Sequence, residues 1–309
     1  MNILADKQKW VYEKGISEEE REKRFKEFNK LYYSLRTKDE SKIWHTISLE
    51  QRKKLHWLIL SLYKLKNRIG GFNYELLNDL REPTDRPIIF AVTHVGKFDI
   101  EVVSEAIKDH YYLLSGDYEH IQGIPDEKFL ALNGVFYFNE KVKEDRQAVT
   151  KKMTDHLKQN GNLMYFIEGT WNMTPELPML PAYWGIVDIA KAGNAIIVPV
   201  ACDQYGKTFK VNIGKNFDMN LYGEGKEEKS RAITDLRDTL STLKWEIWES
   251  EEPLVRKELN GDEWEKYVEA RFKEWPYFNQ EYIDGLVYKP KGVVTPEEAF
   301  GPIRKLQNK

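Results

Sequence analysis

The stretch Ile88-Ile89-Phe90-Ala91-Val92-Thr93-His94-Val95-Gly96-Lys97-Phe98-Asp99 constrains the fold more than any other part of the chain. Its first five residues form a short, β-branched apolar run, the pattern of a strand covered on both faces. Pro87 stands where a strand can begin without losing a ladder donor. Gly96 allows the sharp turn that follows. From Phe98 the spacing becomes helical, with Ile100, Val103, Ala106 and Ile107 on one side. His94 therefore falls at the carboxyl end of a strand, where open α/β sheets place their ligand sites. Asp99 follows close enough for its carboxylate to reach the imidazole. A carboxylate-held imidazole is a general base whose free nitrogen can take a proton from a hydroxyl. The same residues also fit a plain turn histidine and an aspartate serving as a helix cap or a charge at the positive end of the helix dipole.

Around this stretch the pattern alternates. Candidate strands are 88–92, 111–114, 134–138, 163–167, 195–200 and 208–213, with candidate helices at 99–108, 126–132, 144–159 and 183–191. Gly161 and Gly193 stand where glycines end helices ahead of a strand. This α/β segment is expected over 83–218. It is preceded by an N-terminal helical segment, 1–82, and followed by a C-terminal helical segment and wrapped tail, 219–309. In the N-terminal segment Ser17-Glu18-Glu19-Glu20 resembles a capping box. Residues 48–65 read as an amphipathic helix bearing Trp57, Leu58, Ile59, Leu60, Leu62 and Tyr63 beside Lys53, Lys54 and Lys64. That pattern fits ordinary packing on the main domain or a seat in a membrane interface. After Gly225, residues 227–249 form a long amphipathic pattern, 262–273 a further one, and the segment from Trp275 carries four prolines.

The 309 residues and 41% hydrophobic content permit a sizeable core, and the net charge of −3 gives no electrostatic case for nucleic acid. The one cysteine, Cys202, excludes an internal disulfide framework and lies in an apolar run, as an inert core thiol in a reducing compartment would. No secretory pattern is visible in the first fifteen residues, and no apolar run approaches the ~20 residues of a membrane span. The expected location is the cytoplasm, soluble or peripherally bound to a membrane. The six histidines show no metal-ligand spacing.

A second stretch repeats the form of the first. Leu163 to Ile167 reads as a buried strand ended by Glu168-Gly169-Thr170, which fits a plain turn or backbone amides facing an oxyanion. Neither a dinucleotide or phosphate-loop glycine pattern nor a Gly-x-Ser-x-Gly elbow is present, so nucleotide-binding and serine-hydrolase readings lose support.

Together these pieces resemble the glycerolipid acyltransferase superfamily, which includes lysophosphatidic acid and glycerol-3-phosphate acyltransferases. His94 and Asp99 match its His-x-x-x-x-Asp motif. Gly134-Val135-Phe136-Tyr137-Phe138-Asn139 matches its glycine-led second motif. Phe166-Ile167-Glu168-Gly169-Thr170 matches part of Phe-Pro-Glu-Gly-Thr-Arg, and Val198-Pro199 matches its Val-Pro dipeptide. Pro181-Ala182-Tyr183-Trp184-Gly185 occupies the place of its Pro-Phe-basic-basic-Gly segment. The resemblance covers about 85 to 215. It implies an α/β fold with a mixed sheet flanked by helices. It implies an acyl thioester donor, acyl-CoA or acyl carrier protein, no bound cofactor or metal, and a hydroxyl acceptor. His94 is then the base and Asp99 its partner. Gly96, Lys97, Asn139, Glu140, Lys141, Glu168, Gly169, Thr170, Trp171, Tyr183, Trp184 and Pro199 are the implied substrate-binding positions. A hydrolase using the same pair and a silent binding protein are the alternatives.

The departures concern charge. Glu140, Trp171 and Tyr183-Trp184 stand where phosphate-using members carry basic residues. Arginine suits phosphate because its planar fork matches the oxygens. Its loss at these places points to a sugar, polyol or other lipid acceptor, unless Lys141, Lys143 or Arg146 restores the charge from a shifted register.

Overall fold

The computed structural model describes residues 3–116, 118–123, 125–172 and 177–252, with positions 266, 269, 270 and 273 beyond them. The chain divides into two compact units, one formed by residues 1–59 and 110–152, the other by 60–109 and 153–309. The second unit runs across both boundaries expected from the sequence, 82/83 and 218/219, and the first joins residues from either side of 82/83. The tail from Trp275 lies outside the described residues. So does most of the helix expected over 262–273, although its four described positions are helical.

The first unit holds helices α1 (Ile3–Val11), α2 (Glu18–Glu40) and α3 (Ile43–Thr46) and the first half of α4 (Leu49–Gly70). Ser17 caps α2 as the capping box predicts, its hydroxyl accepting from the Glu20 N–H at 3.2 Å. Arg52 on α4 is fully buried, and it stays charged there by donating to backbone carbonyls of Ile47, Leu132, Trp44 and His45. The unit also contains strands β3 (Tyr112–Ser115) and β4 (Val135–Tyr137), paired in parallel. Between them come α6 (Tyr118–Ile121) and α7 (Pro125–Asn133), and after them the start of α8 (Lys143–Lys158). Arg36 makes a bidentate ion pair with Asp145 at 2.6 and 2.8 Å, both side chains buried.

The second unit carries five strands in the order β1-β7-β6-β2-β5. They are β1 (Asn73–Asp79), β2 (Ile88–Val92), β5 (Leu163–Phe166), β6 (Ile196–Tyr205) and β7 (Thr208–Ile213). β2 is parallel to both β5 and β6, and β1 is parallel to β7, while β6 and β7 form an antiparallel hairpin. The sheet is therefore mixed, as expected. The hairpin turns at Gly206, whose φ of +60° suits the two-residue connection. Helices α5 (Asp99–Ile107), α9 (Gly185–Gly193) and α10 (Lys226–Glu249) flank these strands, with the second halves of α4 and α8. α10 buries Leu236, Leu240, Leu243 and Ile247 on one face, and Leu243 and Ile247 pack with Ala201 of β6. β2, in the middle, is buried along nearly its whole length, which is why its sequence reads as a continuous apolar run.

Two sequence expectations need correction. Residues 73–79 belong to a strand rather than to the helical segment; β1 is largely exposed, so it carries no apolar alternation. The strand expected to end at Val200 continues to Tyr205, because the polar residues Asp203 and Gln204 pair with Lys210 and Phe209 of β7.

Candidate active site

The site grows from the end of β2. Thr93 continues the ladder, its N–H donating to Val200 O at 3.1 Å, and its hydroxyl accepts from the Cys202 N–H at 3.0 Å. Cys202 O in turn accepts from Lys244 of α10 at 2.6 Å. The chain then turns, and a single oxygen, Asp99 Oδ2, ties the turn together. It accepts from the Val95 N–H at 2.9 Å, the Gly96 N–H at 3.1 Å and His94 Nδ1 at 2.7 Å. Asp99 thus satisfies two backbone donors of the turn and also holds the imidazole; it does not cap α5, which has no side-chain cap. Its side chain is fully buried.

This arrangement fixes the histidine tautomer. An ionised carboxylate only accepts, so Nδ1 must carry the proton and Nε2 keeps its lone pair. No described residue donates to Nε2. The imidazole side chain is 18% exposed, so that nitrogen can meet a substrate. Aromatic rings define its surroundings. Phe166, the last residue of β5, stacks on the imidazole with centroids 4.0 Å apart, and Trp171 meets it edge-on at 5.9 Å. Neither ring contact is evident from the sequence, because it joins side chains more than seventy positions apart.

Glu168 works from the other side of the turn. Its Oε1 accepts the backbone N–H of His94 at 3.0 Å and its Oε2 that of Leu180 at 2.7 Å. Burial pushes this carboxyl up to about 7, against the downward pull of the Leu180 and His94 N–H groups. Asn172 adds a further tie, its N–H donating to His94 O at 2.7 Å and its side chain to Leu177 O at 3.0 Å. His94 is thus held at its N–H by Glu168, at its carbonyl by Asn172 and at its ring by Asp99. Asn172 carries no sequence signal; its position just past the third motif is the one available hint.

Gly169 needs its glycine. Its φ is +68°, and a Cβ there would lie 2.3 Å from the ring of Tyr183. The Tyr183 N–H donates to Ile167 O at 3.1 Å, so Tyr183 and Trp184, both well exposed, sit beside the end of β5. Thr170 is half-buried between Gly169 and Trp171. Gly96 is buried in the turn, and Lys97 follows half-buried, its Nζ 5.4 Å from the Phe98 ring centroid. Pro199 lies inside β6, opposite Ala91 of β2, and its carbonyl accepts from the Gly214 N–H at 2.9 Å. Its missing donor falls on the β7 side, where residues 214–216 have left the regular ladder between the Val200–Ile213 pair and the Ile197–Phe217 bridge.

Asn139, Glu140 and Lys141 follow β4 in the other unit. Asn139 is buried and shapes its own turn: its N–H donates to Asp145 Oδ2, its Nδ2 to Asn29, and its Oδ1 accepts from the Lys141 N–H. Glu140 and Lys141 are exposed. Among the described residues no group of three or more His, Cys, Asp or Glu side chains could hold a metal.

A histidine on a strand-end turn is here oriented by a buried carboxylate and faced by aromatic rings, the geometry that a general base requires. Residues 73–203 match the family model described as Acyltransferase. The fold is similar to that of the 1-acyl-sn-glycerophosphate (LPA) acyltransferase PlsC from Thermotoga maritima. The TM-score is 0.52 at 14% identity, over 68% of this chain and 87% of that one. No curated protein matches the chain by sequence.

Proposed function

We propose that the protein transfers an acyl group from an acyl thioester, acyl-CoA or acyl carrier protein, to an acceptor hydroxyl. His94 Nε2 takes the hydroxyl proton as the oxygen attacks the thioester carbonyl. The tetrahedral intermediate then collapses, the ester forms, and the departing thiolate recovers the proton from the imidazolium. Asp99 Oδ2, 2.7 Å from Nδ1, stabilises that imidazolium and holds its ring in place. The contact between Asp99 and Nδ1, with Nε2 left open, is the observation that carries this reading. Glu168 and Asn172 meet His94 through its backbone and act as positioning residues.

The acceptor is proposed to lack a phosphomonoester. Aromatic residues support this reading: Trp171 stands beside the imidazole, and Tyr183 and Trp184 stand exposed next to the end of β5, at places where the phosphate-using pattern has basic residues. Flat rings favour the apolar faces of sugars, polyols and lipids, whereas phosphate calls for a guanidinium fork. The test is direct competition for one acyl-CoA donor between lysophosphatidic acid and the corresponding monoacylglycerol or an acyl-free polyol. Preferential acylation of an uncharged acceptor is expected. Preference for lysophosphatidic acid would remove the acceptor proposal while leaving the His94 chemistry intact.

A further inference from the structure

Strand β2 leaves the sheet at the turn that carries His94, and its departure deprives β6 of a partner. Val92 stands beside Val200, and the Thr93 N–H donates to Val200 O. A parallel ladder running two residues further would bring the Val95 N–H to Cys202 O. Val95 donates to Asp99 Oδ2 instead, so Cys202 O is left to other donors. Two supply it: the Thr93 hydroxyl at 3.3 Å, and Nζ of Lys244 from α10 at 2.6 Å. Cys202 closes the join from its own side, its N–H donating to the Thr93 hydroxyl at 3.0 Å and its thiol to Thr93 O at 3.4 Å. Lys244 is 4% exposed and pairs with Asp203 Oδ1 at 3.2 Å, while Asp203 Oδ2 accepts from Trp248 Nε1 at 2.7 Å. Burying such an ion pair is costly, and well-packed apolar side chains would fill the same space without that cost. What the lysine supplies there is a donor at the point where the strand ends.

We propose that Lys244 is a positioning residue for His94: it stands in for the missing β2 donor and so fixes the strand end from which the histidine turn departs. Its contact passes from α10 to Cys202 O, and through the Cys202–Thr93 join to the residue that precedes His94. Glu168 and Asn172 hold His94 itself, whereas Lys244 holds the base of its turn from the β6 side. The lysine also faces the same buried acid. Burial raises the Glu168 carboxyl, and the Leu180 and His94 N–H groups and then Lys244 pull it back down. Lys244 lies outside residues 73–203, the segment that the family model matches. Its part in turnover rests on the acyl-transfer reading; its hold on the geometry of His94 does not.

The experiment compares Lys244→Met and Lys244→Met/Asp203→Asn with the wild type, all as the full chain. The double variant removes both charges of the buried pair, so it leaves no carboxylate stranded if the single variant folds poorly, and the asparagine oxygen still accepts from Trp248. In both variants kcat for acyl transfer should fall about tenfold or more, with KM little changed. A second readout needs no turnover. In protein carrying nitrogen-labelled histidine, the Nδ1–H resonance of His94, assigned by its loss in His94→Gln, should shift in both variants. Asp203→Asn alone should keep the wild-type kcat and resonance, because Lys244 still reaches Cys202 O. Recovery of kcat in the double variant would make Lys244 a counter-ion of Asp203 and overturn the proposal. So would a lower melting temperature with the kcat and the resonance of the folded protein unchanged. A chain that transfers no acyl group, but whose His94 resonance moves in both variants, would remove the acyl-transfer reading and support the positioning role.

Discussion

Glu168 Oε1 accepts the backbone N–H of His94 at 3.0 Å, so a buried carboxyl from the end of β5 holds the turn that follows β2. Its other oxygen holds the Leu180 N–H at 2.7 Å. The carboxyl therefore joins three separate segments of chain through two hydrogen bonds.

The first prediction concerns pH. The Glu168 carboxyl is raised by burial from 4.5 to about 7 in the folded protein. Between these values the folded state holds a proton that the unfolded state has released. Its stabilising contribution is complete below about 4.5 and is lost as pH rises through about 7, on the order of 3 kcal/mol in all. Thermal melts of the wild type and Glu168→Gln across this range should diverge, the wild type losing more stability on going alkaline. Parallel curves would mean that Glu168 does not titrate in this window. At low pH the Gln variant should be less stable by about 1–3 kcal/mol, because its amide nitrogen meets one of the two backbone donors.

Asp99→Asn keeps the side chain's size and its acceptor for the Val95 and Gly96 N–H groups, but it removes the charge opposite the imidazolium. The expected effect is a loss of roughly 10²-fold or more in kcat/KM with a small change in melting temperature. A large stability loss with kcat/KM preserved in the folded fraction would make Asp99 a structural tie of the turn alone.

Gly169→Ala tests the turn after β5. The left-handed backbone costs a non-glycine residue about 1–2 kcal/mol, and the new Cβ would meet the Tyr183 ring. Tyr183 is 57% exposed, so its ring can swing aside and relieve the clash. Denaturant titration should therefore give a cost near the backbone term, with Gly169→Ala/Tyr183→Ala little different. A penalty several times larger, relieved by Tyr183→Ala, would show that the ring is fixed.

In the other unit, Asp145→Ala would strand the buried guanidinium of Arg36 and the Asn139 N–H together. About 3–5 kcal/mol of destabilisation is expected by chemical denaturation. Tolerance of the change would mean that Arg36 finds another carboxylate, for which Glu40, 3.5 Å from Nε, is in reach.

What the sequence reveals about this molecule is what lies close together along the chain. Pro87, the β-branched run, Gly96 and the helical spacing from Phe98 all act within a dozen residues, and the strand, turn and helix there match the expectation. Asp99 reads as either a cap or a partner for His94; the fold makes it the partner, its carboxylate tying residues 94–96 while α5 has no side-chain cap. β1 escapes notice because it is an edge strand with mostly exposed side chains, specified by its parallel pairing with β7. Glu168 reads as one member of a motif, but its role needs the N–H groups of residues 94 and 180 brought together. The stacking of Phe166 on His94 likewise depends on the register that sets Val92 beside Phe166. α4 reads as a mixed apolar and basic helix. Only the fold decides which of its apolar residues are buried and which are left outside.

The central claim is that His94 Nε2 removes the acceptor's proton. Its most direct test is kcat/KM for acyl transfer by His94→Ala, with circular dichroism confirming the fold. A loss of roughly 10²–10⁴-fold is predicted; activity equal to the wild type would contradict the mechanism.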